Sequence, residues 1–576
     1  METQKADNQM NLAVELTPQE RERSLDLDVG FDERERTWEI IVKYSGNLER
    51  LRSDQIQITP LSGQYAIVVL PQNLLDEFAR EPEVEFIEKP KRLHFAILQG
   101  KAASCIGAVQ SSNLNLTGRG ILVGIVDSGV DYAHEDFRRT DGTSRILRLW
   151  DQTIPGGSPE GYNIGSLYTQ EDINEALQAS SNAERYSIVP SRDLSGHGTG
   201  VAGIAAGNGR ESNGVYRGIA YESELVVVKL GASQPDSFPR TTQLMQAIDY
   251  CVRFAASRNQ PLALNISFGN SYGSHDGTSL VETYINQVSQ IGRCVICIGS
   301  GNEGSARGHY EGQLVQGAGL DIQFSIGAYE SAVNLQIWKD YSDIFTIELI
   351  NPEGNSTGPF QEQLGVQRFL LNKEELFVYY GKPSPYSIAQ EIYLDFLPIE
   401  DFLTEGLWII RIQPRRIVNG RIDLWLPGGG ILNANTGFYR PVPDTTLTIP
   451  SASQSAITVG AYDSRTMSYA PFSGRGFTRR TNQIKPELVA PGVDIVSTKA
   501  GGGYESYTGT SFATPYVTGA AALLMEWGII NGNDAYLYGE KVKAYLVRGA
   551  RQLPGVDTPN PLTGWGALCA RESLPV

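Results

Sequence analysis

The 576-residue sequence is short of cysteine, of basic residues and of long apolar runs. Its five cysteines, at 105, 251, 294, 297 and 569, form an odd and scattered set that does not suggest a disulfide framework. Cys294 and Cys297 make a C-x-x-C inside the apolar stretch "CVICIG". Residues three apart on a strand point to opposite faces, so the pair reads as core thiols rather than a redox or metal site. A reducing compartment is the expectation. Lys and Arg number 48 against 65 Asp and Glu, and the net charge of −17 argues against nucleic acid or an anionic membrane surface as a partner. No apolar run reaches membrane-spanning length. The opening "METQKADNQMNLAVELTPQERERSLDLD" has neither the basic start nor the apolar core of a secretory signal, which points to the cytoplasm. Internal repeats and low-complexity tracts are also missing.

The chain is long enough for two or three domains with sizeable cores, and its 61 glycines and 29 prolines imply many loops and turns. Residues 1–30 read as a polar, acidic tail. From Trp38 to about residue 99 the text gives strand, turn, strand, a helix over about 72–81, and strand: a small α+β unit. From 100 to 308 strands and helices alternate. "ILVGIVDSG" and "ELVVVKLG" are continuous apolar runs, as strands covered on both faces require. Segment 241–257 carries Leu244, Ile248, Val252 and Ala255 on one helical stripe. This βαβ series predicts an α/β fold with a parallel sheet between helices. Over 309–440 the helical spacing vanishes and seven or more short strands follow one another, the signature of an antiparallel β-sandwich. The α/β pattern resumes over 441–576, so a β domain interrupts an α/β domain.

Four segments place reactive residue types at strand ends or helix starts, where an open parallel sheet collects its chemistry. "GIVDSGVDYAHEDF" puts Asp127 after a buried strand, and "DLSGHGTGVAGIAAG" puts His197 at a helix start. "GSGNEGS" puts Asn302 in a glycine-flanked loop, and "GTSFATPYVTGAAALLM" puts Ser511 at the mouth of a buried helix, with Pro515 early in it. Each has a plain alternative as a cap or turn residue, but four unrelated turns do not yield this set. A serine hydroxyl becomes a nucleophile when an imidazole can take its proton, and the imidazole needs a buried carboxylate to fix its tautomer. A further donor must meet the charge growing on the substrate's carbonyl oxygen.

"VDSGVD", "GHGTGVAG", "SGNEG" and "GTSFATP" resemble the signature segments of the subtilisin-like serine proteases, in that family's chain order. The resemblance covers about residues 105–308 and 440–570. It implies that Asp127 orients His197, that His197 is general base and acid, and that Ser511 is the nucleophile. Asn302 and the Ser511 backbone N–H then form the oxyanion hole. "ISFG", with Ser267, Phe268 and Gly269, is similar to the edge that pairs with the substrate backbone, and Gly301 and Glu303 border the pocket for the side chain preceding the cut. Two departures stand out: Gly200 where the family often has a second histidine, and Phe512 where it has methionine. Both are expected to affect packing only. Calcium is common in the family and Asp136 matches one ligand position, but no full oxygen set is evident; no cofactor is required and no metal is assigned.

The layout is similar to the clostridial spore-germination (Csp) proteases, which widens the expected location to the spore. The resemblance makes the first 99 residues a prodomain, self-cleaved and retained, and the inserted domain a jelly roll. It also implies protein or peptide substrates, with activation of a zymogen by limited proteolysis. The rival is a catalytically silent pseudoprotease that binds or senses, and retention of Asp127, His197, Asn302 and Ser511 speaks against it. The run "LHFAILQGKAASCIG" reads as an extended segment able to lie in the cleft as an added strand, cut between Gln99 and Gly100.

Overall fold

The computed structural model describes all residues except 1–4, 7, 16–29, 33, 62–63, 90–95, 112, 232–238, 364, 384–386, 429 and 576. The chain divides into two compact units, Met1–Phe95 and Ala96–Val576.

In the first unit, strands Thr37–Tyr44, Gln57–Leu61, Tyr65–Pro71 and Val84–Glu88 form an antiparallel sheet with helix Leu75–Arg80. Alternation along Thr37–Tyr44 sends Trp38, Ile40 and Val42 into the core, as a half-covered strand requires. The expected unstructured tail is corrected in part: Asn8–Glu15 is helical, and Met10 and Ala13 are buried in that core. Val14 packs against the same core.

The second unit is built on a nine-stranded sheet. Its order is Ser468–Tyr469, Ile457–Asp463, Cys294–Gly299, Leu262–Ile266, Leu122–Asp127, Glu224–Lys229, Ile146–Asp151 and Ser166–Thr169, with Leu488–Pro491 also on Ile457–Asp463. The central pairings are parallel. Leu122–Asp127 is buried at every position because both faces are covered. Val123 and Ile125 join one core with helices His197–Ala206 and Thr510–Met525; Leu122 and Val126 join another with Thr241–Ser257 and Leu280–Val288. After Leu122–Asp127 the chain builds the sheet to one side, returns as Glu224–Lys229, then crosses to the other as Leu262–Ile266. The carboxyl end of Leu122–Asp127 is therefore a topological switch point, where open α/β sheets hold their sites.

Between Cys294–Gly299 and Ile457–Asp463 lie two antiparallel sheets. One has six strands, His309–Gln313, Arg421–Trp425, Val333–Asp340, Ala389–Pro398, Glu374–Tyr380 and Gln367–Leu371; the other has Ile344–Ile350, Gly406–Arg416, Leu320–Ile326 and Gly437–Phe438. Their facing side chains, among them Phe324, Leu335, Ile337, Ile347, Phe396, Trp408 and Ile410, form one apolar core.

The cysteine reading is half corrected. Cys294 and Cys297 do face opposite cores, and burial pushes both thiols up to about 12. Cys105 and Cys569, however, are joined as a disulfide, their Cα atoms 4.9 Å apart across 464 residues of sequence. An odd total hid the one pair that the fold brings together, and the inference of a reducing compartment loses its basis. A second correction concerns Gln99 and Gly100, which lie in helix Ala96–Ala103 rather than in an extended run. Gly100 packs so closely on Tyr516 that a Cβ there would overlap the phenol, so the turn is fixed by contact rather than by local propensity.

Candidate active site

Asp127 ends its strand fully buried, and Oδ1 lies 2.6 Å from His197 Nδ1. The same oxygen accepts the Ser128 N–H at 2.7 Å, while Oδ2 is buried without a hydrogen-bond partner. Burial alone would lower the His197 pKa, but the Asp127 charge and hydrogen bond, with help from Asp193, raise it above 6.5. Nδ1 is therefore the protonated nitrogen, and Nε2 is left as the basic one.

Asp193 escaped the sequence reading. Its Oδ2 accepts the Thr199 N–H and O–H at 2.8 and 2.7 Å, and its Oδ1 accepts the Gly196 N–H and the Ser128 hydroxyl. It thus satisfies amides at the open start of helix His197–Ala206 and locks the loop that presents the imidazole. A carboxylate four residues before the histidine, in "DLSGHGT", was the available signal.

Ser511 is the second residue of helix Thr510–Met525, so its N–H belongs to the turn that has no helical acceptor. The hydroxyl donates to the Ser267 carbonyl oxygen at 3.4 Å, not to His197. Pro515 sits in the second turn, not the first as its early place suggested, and a proline there normally breaks a helix. Lacking an N–H, it leaves the Ser511 carbonyl oxygen unclaimed, and the Ser267 hydroxyl donates to that oxygen at 3.1 Å. Ser267 in turn accepts from Asn265 Nδ2 at 2.9 Å, and Asn265 Oδ1 accepts the Thr518 hydroxyl at 2.9 Å. An asparagine inside the fully buried strand "LALNI" was the visible clue to this relay.

Asn302 Oδ1 accepts the Thr510 N–H at 3.0 Å and the Thr510 hydroxyl at 3.1 Å, which assigns Nδ2 as the donor end beside Gly509 and Ser511. Gly301 and Gly269 both touch the Thr448 side chain, and Glu303 lies against Gly428. Phe268 and Phe512 flank the His197 ring, with centroids 6.2 and 5.0 Å away. Phe512 also stacks on Tyr507 at 4.5 Å, and the Tyr507 ring fills the space that any side chain at Gly200 would need. The two departures from the family pattern are one packing solution. Asp127, His197, Asn302, Ser511, Ser267, Phe268, Gly269, Gly301 and Glu303 thus fall within one cluster of loops and helix starts, whereas Gln99 and Gly100 belong to helix Ala96–Ala103.

The Asp136 carboxylate is held by protein partners. Its Oδ1 accepts the Glu211 N–H at 3.0 Å and its Oδ2 the Tyr504 hydroxyl at 2.9 Å, while burial raises its pKa. Among the described residues no three His, Cys, Asp or Glu converge on a common metal position.

Comparison with known proteins covers nearly the whole chain. Residues 4–91 match the Csp protease B prodomain family, and residues 118–370 and 433–566 match the subtilase family. Among solved structures, the CspB protease of Clostridium perfringens is 38% identical, covers 82% of this chain and 96% of its own, and superposes with a TM-score of 0.76. The minor extracellular protease Vpr of Bacillus subtilis is 23% identical over 485 residues, 79% of this chain and 51% of Vpr. The PII-type proteinase of Lactococcus lactis subsp. cremoris is 22% identical over 500 residues, 78% of this chain. The chain spans only 25% of that proteinase's length.

Proposed function

The chain belongs to the subtilase family, and from that premise we propose that it is a serine endopeptidase. Peptide substrate pairs with the edge Ser267–Phe268–Gly269, and the side chain before the cut enters between Gly301 and Glu303. Ser511 attacks the carbonyl carbon, His197 Nε2 takes its proton, and Asp127 stabilises the imidazolium. Asn302 Nδ2 and the Ser511 N–H receive the oxyanion. Substrate draws the Ser511 hydroxyl from the Ser267 carbonyl towards His197, as catalytic hydrogen bonds commonly tighten only in the complex. The 2.6 Å Asp127–His197 contact carries this reading, because it fixes one imidazole tautomer beside a serine at a helix start.

The Csp-type prodomain match and the CspB neighbour support a narrower role. In it, the N-terminal unit is a prodomain removed by the enzyme itself and held afterwards, the two-sheet insert is a jelly roll, and the mature enzyme activates a zymogen during spore germination. Cleavage after Gln99 requires that the precursor present the Ala96–Ala103 segment unwound. No described helix is long and apolar enough to cross a membrane.

A fluorophosphonate probe tests the chemistry. It should label wild type at Ser511 and fail on Ser511→Ala and His197→Ala; an unlabelled wild type turns the reading to a binding protein on a protease fold. Intact mass tests the processing: Ser511→Ala should stay full length beside a wild type that begins at Gly100. A mutant trimmed like wild type would remove self-cleavage, and a different start would move only the site.

A further inference from the structure

The inserted sheets reach the catalytic loops through three stacked rings. Trp425, at the end of strand Arg421–Trp425, lies between His275 and His309, with centroids 4.2 and 4.7 Å away and planes within 15° of parallel. All three are buried. The Trp425 Nε1–H donates to the Thr445 carbonyl oxygen at 3.3 Å. His309 Nε2 faces Asp423 at 3.3 Å, and Asp423 also receives Arg479 Nε at 2.6 Å. One side of the stack is thus pinned to the insert and to the Arg479 loop.

The other side is pinned to the proposed substrate-pairing edge and to the strip that backs it. The two His275 ring nitrogens lie 2.7 Å from the Leu447 carbonyl oxygen and 3.1 Å from the Ser271 carbonyl oxygen. Ser271 follows the edge Ser267–Phe268–Gly269 by two residues. Leu447 precedes Thr448, whose side chain fills the space beside both Gly269 and Gly301 and whose N–H donates to the Ser300 carbonyl oxygen at 3.0 Å. Asn270 and Ile449 exchange backbone hydrogen bonds of 3.0 and 2.7 Å. A single imidazole therefore ties the edge on which the proposed substrate pairs to the Thr448 strip that backs it. The insert grips the same strip further: Gln336 Oε1 accepts the Gly273 N–H at 3.0 Å, Asn334 Nδ2 donates to the Tyr272 hydroxyl at 3.1 Å, and Gly428 packs on Ser271.

We propose that the insert sets peptide affinity, with Trp425 and His275 as positioning residues that hold the Gly269–Ser271 edge against the Thr448 strip. The idea rests on the endopeptidase reading. None of these rings touches Asp127, His197 or Ser511, so losing the stack displaces the peptide's resting place and leaves the reacting groups in order. A mutation that raises KM with kcat unchanged has removed binding common to ground and transition states.

The experiment compares full-length wild type, Trp425→Ala, Trp425→Phe and Gln336→Ala. It measures steady-state cleavage of a peptide spanning several residues before the cut, the labelling rate with a small fluorophosphonate, and thermal unfolding. Trp425→Ala should raise KM about tenfold, kcat and labelling should stay within about twofold, and Trp425→Phe, which restores a flat ring, should recover most of the KM. Gln336→Ala removes one backbone grip while leaving all three rings in the chain, although Gln336 pairs across the sheet with Trp425, and should raise KM about threefold. It keeps the test open if Trp425→Ala does not fold. An unchanged KM in folded Trp425→Ala or in Gln336→Ala overturns the proposal. So does a parallel fall of kcat and labelling with the rise of KM, which marks general collapse. A wild type that the probe does not label sinks the endopeptidase reading instead.

Discussion

The parallel sheet and the inserted sheets treat buried polarity in opposite ways. In the catalytic half, polar groups enter the interior as a relay: Thr518 to Asn265 to Ser267 to the Ser511 carbonyl oxygen, with Asp127 ending its strand beside it. In the insert, alternate residues of each strand fill an apolar core, and a buried charge such as Asp423 is matched by His309, Arg421 and Arg479. Two buried carboxylates sharpen the contrast. Glu282 has no cation within ion-pair reach among the described residues; burial pushes its pKa up to about 7 against the Ser279 hydrogen bonds. Burial would also raise Asp423, but His309 and the arginines hold it well below the usual carboxylate range. These two carboxylates thus answer burial in opposite ways, one by keeping its proton and the other by ion pairing.

The largest effect expected from breaking this contrast lies in Asp127, the buried carboxylate that faces His197. Asp127→Asn should lower turnover by about 10⁴, the size known for this change in a triad of unrelated fold. In wild type, kcat/KM should fall on acidification through a midpoint above 6.5, since protonated His197 cannot accept the serine proton. The residual activity of Asp127→Asn should lose that position, because its main raising influence is gone and burial then lowers the histidine. A pH–rate profile of both proteins decides it.

Next comes a cut into the insert's core. Trp408→Ala removes a fully buried ring and should cost about 3–5 kcal/mol in unfolding free energy, read by denaturant titration. The Ser511 labelling rate of the folded fraction should not change. Asn302→Ala should fold normally and lose about 10²–10³ in turnover, the magnitude found for an amide donor in a subtilisin. A near-normal rate would take Asn302 out of the oxyanion hole.

The smallest effects concern the two carboxylates, and their signs differ. Glu282 binds its proton more tightly when folded, so its contribution is complete below its unfolded value near 4.5 and fades as pH rises through about 7. Glu282→Gln should flatten stability across that window. Asp423 behaves in reverse: its contribution is complete above the unfolded value near 3.8 and is lost as pH falls. Asp423→Asn should destabilise at neutral pH and lose less on acidification. Melting curves from pH 2 to 8 separate the two.

The same contrast governs what could be read from the chain. Asp127, His197, Asn302 and Ser511 were legible because catalytic polarity at strand ends and helix starts interrupts otherwise apolar text. The insert's strands were legible as a class, since alternation marks each one, but their pairing was not: Gly406–Arg416 joins strands distant in sequence on both sides. Pro515 reads in the sequence only as an early helix proline and Asn265 only as part of an apolar strand, and their meeting at Ser267 belongs to the fold. The helix at Ala96–Ala103 was missed because its conformation is set by a remote surface at Tyr516. Cys105 and Cys569 failed for the same reason at the greatest distance.

That last pair makes the second unit a ring in the covalent sense. From Cys105 to Cys569 the backbone forms a closed circuit, and helix Ile106–Gln110 and helix Ala570–Ser573 sit at its clasp. A protease that nicks any loop between them opens the circuit without dividing the molecule, so the pieces migrate as one species until a reductant is added. On the proposed cut after Gln99, the disulfide moors the segment that follows the cut at the opposite end of the chain.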